Sequence, residues 1–145
     1  MNEEDLKRRT QLFGLRIIRL VAALPKSIEG RAIGNQLVRA GTSVGANYRA
    51  ACRARSKAEF IARLGIVEEE ADESAFWIEI IIRSRLLKPR LVESLLREAN
   101  ELVAIMTSSR KTSSKRDNVD QGAKQESRAG RNQKSKIANQ KSKAF

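Results

Sequence analysis

Apolar residues in the first 107 positions recur at intervals of three and four, the period of an α-helix with one buried face. Four such stretches follow one another. The first covers about residues 3–24, with Leu6, Phe13, Ile17, Leu20 and Leu24 on one stripe. Asn2 stands at the N-cap position, and Glu3, Glu4 and Asp5 fill a first turn where carboxylates suit the helix dipole. Residues 25–30 form the break. The second stretch, about 28–53, places Ile33, Leu37, Ala40, Val44, Asn47 or Tyr48, and Ala51 on its inner side. Ser56 and Glu59 have capping-box spacing and open the third, whose stripe is Phe60, Leu64, Val67, Ala71, Ser74, Ile78 and Ile81. Pro89 suits the first turn of the fourth, in which Leu91, Val92, Leu95, Leu96, Ala99, Leu102, Val103 and Met106 recur. Short connections between long amphipathic helices predict antiparallel neighbours. The expected fold is all-α: an up-down-up-down four-helix bundle over residues 1–107.

The periodicity stops after Thr107. Residues 108–145 carry scattered Val119, Ile137 and Phe145 among Ser, Lys, Gln, Asn, Arg and Ala. So little apolar area cannot offset the entropy of ordering, which predicts a disordered, basic, low-complexity tail. Its end is a tandem heptad, residues 132–138 and 139–145, without the apolar seam a coiled coil needs. Charge is divided at the same point. The chain has 145 residues with 29 Lys+Arg against 17 Asp+Glu, a net of +12. The tail holds 11 basic and 3 acidic residues, a net of +8, whereas residues 1–107 hold 18 and 14. Such a tail is either an inert extension or a basic arm that adds sequence-independent affinity for nucleic acid.

Composition excludes several chemistries. With no histidine, a His-dependent triad and a His-ligated zinc site are ruled out. The lone Cys52 excludes an intramolecular disulfide framework and fits a reducing, cytoplasmic setting. The acidic residues 1–5 do not resemble a secretory signal, and no apolar run is long enough to span a membrane. Glycines form no phosphate-binding loop. Glu68, Glu69, Glu70, Asp72 and Glu73 are the one carboxylate cluster, expected to be a solvated or ion-paired helix face rather than a metal site. We expect no cofactor, no metal and no enzymatic activity.

Three patterns exceed what a monomeric bundle requires. Ile61, Ile66, Phe76, Trp77 and Ile80 lie off the core stripe of the third stretch, which predicts a subunit interface and a homo-oligomer. Gly34, Gly41, Gly45 and Cys52 share a narrow stripe of the second, so either another backbone comes close there or Gly41 ends the helix. Arginines are sorted onto faces: Arg8, Arg9, Arg16 and Arg19 on the first stretch, Arg31, Arg39, Arg49 and Arg53 on the second. Either these pair with the acidic third stretch, or they face outward and track nucleic-acid phosphates with little sequence specificity.

The ordered set Ser43-Val44-Gly45-Ala46-Asn47, Ser56-Lys57-Ala58-Glu59-Phe60-Ile61, Glu70-Ala71-Asp72-Glu73 and Phe76-Trp77 resembles the bacterial four helix bundle proteins, also called 23S rRNA intervening-sequence proteins. The resemblance covers roughly residues 6–107. It implies an up-down bundle that assembles as a ring-shaped homopentamer. A related branch, the accessory variability proteins of diversity-generating retroelements, implies nucleic-acid binding through a basic surface and a reverse transcriptase as a possible partner. Many members carry Glu-Gly shortly after the Asn of the first motif, whereas Tyr48-Arg49-Ala50-Ala51 stands here, so this segment is more basic. Ser43 and Asn47 match the pattern and are expected to hydrogen-bond between helices. Two functions follow as expectations: a non-enzymatic, homo-oligomeric bundle that binds RNA or DNA through arginine-rich faces, or a protein-interaction scaffold without a nucleic-acid role.

Overall fold

A computed structural model describes residues 1–142. Four helices appear in the predicted order: α1 (Glu3–Ala22), α2 (Ile28–Cys52), α3 (Lys57–Arg83) and α4 (Pro89–Ser142). Each of the first three begins at a polar cap. Asn2 Oδ1 accepts from the Asp5 backbone N–H at 2.8 Å, and Asp5 returns the bond to the Asn2 N–H at 3.2 Å. Ser27 and Ser56 cap α2 and α3 through their hydroxyl oxygens. Glu59 departs from the expected box, because its carboxylate reaches past the cap to the backbone N–H of Arg55 at 2.8 Å. The bond fixes the short turn between α2 and α3.

The four apolar stripes converge on one core. Phe13, Ile17, Leu37, Leu64, Ile78 and Leu102 are fully buried, each stabilising the fold by about 1.5–3 kcal/mol. Ile33, Phe60, Leu96 and Val103 pack at its margin. Leu91 is an exception: it is exposed in the first turn of α4, where Val92 takes the inward position. The core also holds Thr10, whose hydroxyl donates to the Leu6 carbonyl at 2.9 Å and so needs no partner on another helix.

The glycine stripe explains how closely α1 and α2 pack. A Cβ added at Gly45 would stand 3.2 Å from the Thr10 carbonyl oxygen, and one at Gly41 would stand 2.6 Å from Ile17 Cγ1. Gly34 faces Val21 and Leu24 in the same way. Residue numbers rise on one helix as they fall on the other, so the pair is antiparallel. The second helix runs unbroken through Gly41, which removes the reading of that residue as a helix end. Ser43 and Asn47 correct another expectation. Ser43 Oγ donates to the Arg39 carbonyl and Asn47 Nδ2 to the Ser43 carbonyl, so both bonds lie within α2.

Ion pairs tie the remaining neighbours. Arg39 of α2 reaches Glu70 and Glu73 of α3; Arg9 of α1 reaches Glu98 and Glu101 of α4; Arg110 of α4 meets Glu68 of α3. Each helix therefore adjoins two others, and α1 lies diagonally opposite α3.

The chain divides into two compact units, Met1–Lys111 and a second that begins at Thr112. The tail, expected to be disordered, is helical from Thr112 to the end of α4. No proline follows Pro89, and Ala, Lys, Gln and Arg are good helix formers. The entropy argument weighed burial, whereas a helix satisfies its backbone hydrogen bonds locally. The absence of burial does hold, since side chains from Asn118 to Gln140 are exposed. Positions 143–145 of the second heptad lie outside the described residues.

Candidate functional site

The eight arginines predicted as a binding surface separate into distinct environments. Arg9 is engaged at the α1–α4 seam, with Nε 2.6 Å from Glu98 Oε1, one η nitrogen 2.9 Å from Glu98 Oε2, and a further short bond to Glu101. This bidentate, half-buried pair ties α1 to α4, and Glu98 pushes the guanidinium pKa up. Arg39 lies between Glu73 at 2.5 Å and Glu70 at 3.3 Å, and it holds the Glu73 carboxyl below the ordinary carboxylate range. Arg8 makes an exposed pair with Asp5 on its own helix, and Arg16 donates to Ser94 Oγ at 3.0 Å. Arg19, Arg31, Arg49 and Arg53 are exposed and form no ion pair with the described residues.

Arg49 and Arg53, one turn apart near the end of α2, form the wall shared by two adjoining grooves. The first, about 520 Å³, runs between α1 and α2. Leu15, Ile18, Gly14 and Ala46 give it an apolar lining, with Arg8 at its rim. The second, about 770 Å³, is bounded by the start of α3. Four guanidinium groups line it, those of Arg49, Arg53, Arg55 and Arg63, against one carboxylate, Glu59. Glu59 is itself occupied. It accepts from the Arg55 N–H and pairs with Arg63 at 3.0 Å, and these two contacts, the backbone bond foremost, lower its pKa. Arg49, Arg53 and Arg55 are exposed and make no ion pair with the described residues, so they attract anions, and each planar guanidinium can hold a phosphate through two hydrogen bonds.

Sequence reasoning found Arg49 and Arg53 but missed Arg55 and Arg63. The available signal was the density of arginine across residues 49–63, on both sides of a turn too short to separate the helices it joins. Cys52 lies beside this end, half-buried, and burial pushes its thiol pKa up. Among the described residues, no group of three or more acidic or thiol side chains converges to hold a metal ion. No helix among them is long and apolar enough to cross a membrane.

The five residues predicted as an interface lie on or beside the outer face of α3. Ile66 and Phe76 are exposed, while Ile61, Trp77 and Ile80 are half-buried. The Phe76 and Trp77 rings meet edge-on with centroids 5.0 Å apart, and Trp77 Nε1 donates to Glu73 at 3.3 Å. Sequence reasoning missed a second apolar strip, Leu12, Leu15 and Ile18, on the outer face of α1.

Comparison with known proteins places this arrangement. The profile of the 23S rRNA-intervening sequence protein family matches residues 3–108. A crystal structure of a protein of unknown function from the S23 ribosomal protein family, from Bacteroides thetaiotaomicron VPI-5482, is similar at a TM-score of 0.71 and 32% identity. The match covers 77% of this chain and 99% of that one. No curated protein matches the chain.

Proposed function

The chain belongs to the 23S rRNA-intervening sequence protein family, and from that premise we propose that it is a non-enzymatic, self-associating bundle that binds RNA or DNA through its basic end. The observation that carries this reading is the second groove, where four arginines face one already engaged carboxylate. Such a site neutralises backbone phosphates and releases counterions without reading bases, so its affinity is salt-dependent and weakly sequence-specific. The exposed Lys and Arg residues of the tail supply further cations of the same kind. Self-association would repeat each modest patch and convert weak single contacts into avidity.

A gel-shift titration of the full chain with duplex and single-stranded RNA and DNA, at several salt concentrations, tests the proposal. Binding that weakens steeply as salt rises is expected. No binding at low salt, or binding indifferent to salt, overturns it.

A further inference from the structure

The second compact unit carries its own arrangement of charge. It is helical from Thr112 to Ser142, and its side chains are exposed from Asn118 to Gln140. Between positions 121 and 142 six residues are Lys or Arg and one, Glu126, is acidic. Lys124, Arg128 and Arg131 recur at intervals of four and three, so they run along one face. Lys134 and Lys136 are two residues apart, which sets them about 200° from each other, one on each flank of that face. Glu126 lies on the far side. None of these five cations has a carboxylate partner among the described residues, and Arg131 donates to a neutral hydroxyl, Ser127 Oγ, at 3.1 Å.

A helix is weakened by such a row. Like charges three or four positions apart repel, and Lys124 with Arg128, Arg128 with Arg131, and Arg131 with Lys134 are three such pairs. A polyanion laid along the row removes the repulsion, so binding and helix formation support each other.

The shape of the helix selects among polyanions. With its side chains an α-helix is about 10–12 Å across, and the major groove of B-form DNA, about 12 Å wide, admits one. With Lys124, Arg128 and Arg131 turned into that groove, Lys134 and Lys136 point to opposite strands. The major groove of an RNA duplex is too narrow and deep for such an entry. Residues 112–142 contain no aromatic side chain on which the bases of a single strand could stack. A membrane surface requires an apolar face, and the exposed large apolar residues here are only Val119 and Ile137.

We propose that this helix is a contact element for duplex DNA, lying in the major groove and held by phosphates of both strands. The proposal rests on the nucleic-acid reading above and narrows it: the tail helix selects B-form duplex DNA, whereas the arginine groove of the bundle attracts any phosphate backbone.

Fluorescence-anisotropy titrations of the full chain at low salt decide the matter. The probes are a DNA duplex, the RNA duplex of the same sequence and one strand of the DNA. The wild type should bind the DNA duplex most tightly. Gln125→Pro/Gln133→Pro breaks the helix without changing a charge and should lower affinity for the DNA duplex about tenfold, leaving the RNA duplex unaffected. Arg128→Gln/Gln133→Arg combined with Ala129→Arg/Arg131→Ala keeps composition and helix but scatters the row, and it should show the same loss. Thermal melts followed by circular dichroism should find the bundle unchanged in both variants. The inference is overturned if either variant binds the DNA duplex like the wild type, because charge alone then suffices. It is equally overturned if the wild type holds the RNA duplex or the single strand as tightly as the DNA duplex. Salt-dependent binding without a preference for duplex DNA removes this inference alone, whereas a wild type that binds no probe removes the nucleic-acid reading as well.

Discussion

Arg39 and Arg49 occupy the same helix, yet one is structural and the other is free to bind. Arg39 points at the α2–α3 seam, where Glu70 and Glu73 wait one turn apart on α3, and Arg9 meets an equivalent pair, Glu98 and Glu101, on α4. Arg49 and Arg53 stand near the end of α2, where the turn brings Arg55 and Arg63 beside them and one acid, Glu59, already held by Arg63 and the Arg55 N–H. What separates the two groups is the neighbouring helix, since side-chain chemistry and helix propensity are identical. A guanidinium with a carboxylate in reach fastens the bundle; one without keeps its charge for an outside partner.

The sharpest way to test this contrast is charge reversal at the free pair. Arg49→Glu with Arg53→Glu should lower nucleic-acid affinity on the order of 100-fold at low salt, read by gel shift, with an unchanged melting temperature. If binding survives, the free arginines are not the site. Arg9→Ala should show the opposite signature. It leaves Glu98 half-buried without its bidentate partner and should reduce stability by about 1–2 kcal/mol in urea denaturation, while nucleic-acid binding is retained.

Truncation after Lys111 is next in size. It removes the tail cations and should weaken binding about tenfold and flatten its salt dependence, with the bundle's melting temperature preserved. The cut must spare Arg110, because that residue pairs with Glu68. Arg39→Ala should destabilise less than Arg9→Ala, since its side chain is more exposed to solvent screening.

Acid gives the smallest effect. Glu68 and Glu73 are held below their ordinary value of 4.5 in the folded chain, chiefly by Arg110 and Arg39. The unfolded chain therefore binds protons first as pH falls. The stability these carboxylates contribute is complete above pH 4.5 and fades below it as the folded pKa is approached. A thermal-melt series across that range should show the decline, and Arg39→Ala should show less of it.

Much of the fold was legible because helices announce themselves locally. The stripe Leu6, Phe13, Ile17, Leu20 and Leu24 is buried as its spacing predicts, and Asn2, Ser56 and Pro89 mark helix starts. Of the glycine stripe, Gly45 does face a close backbone, that of Thr10, whereas Gly34 and Gly41 make room for the side chains of Val21, Leu24 and Ile17. The outer α1 strip was missed because Leu12, Leu15 and Ile18 look like ordinary helix formers until the core stripe is seen to lie on the other side. Ser43 and Asn47 misled, because short polar side chains in a helix can return their hydrogen bonds to the preceding turn.

The sequence by itself determined where helices begin, which face of each turns inward, and how the net charge is divided between bundle and tail. Those properties depend on neighbours within a few residues, and a 3.6-residue period exposes them directly. Only the tertiary structure decided that Arg9, Arg39 and Arg110 are neutralised, because their partners are 31 to 92 residues away in the chain. It also decided that Arg55 and Arg63 join Arg49 and Arg53 at one groove, since a groove is a relation between helices and no single helix carries it.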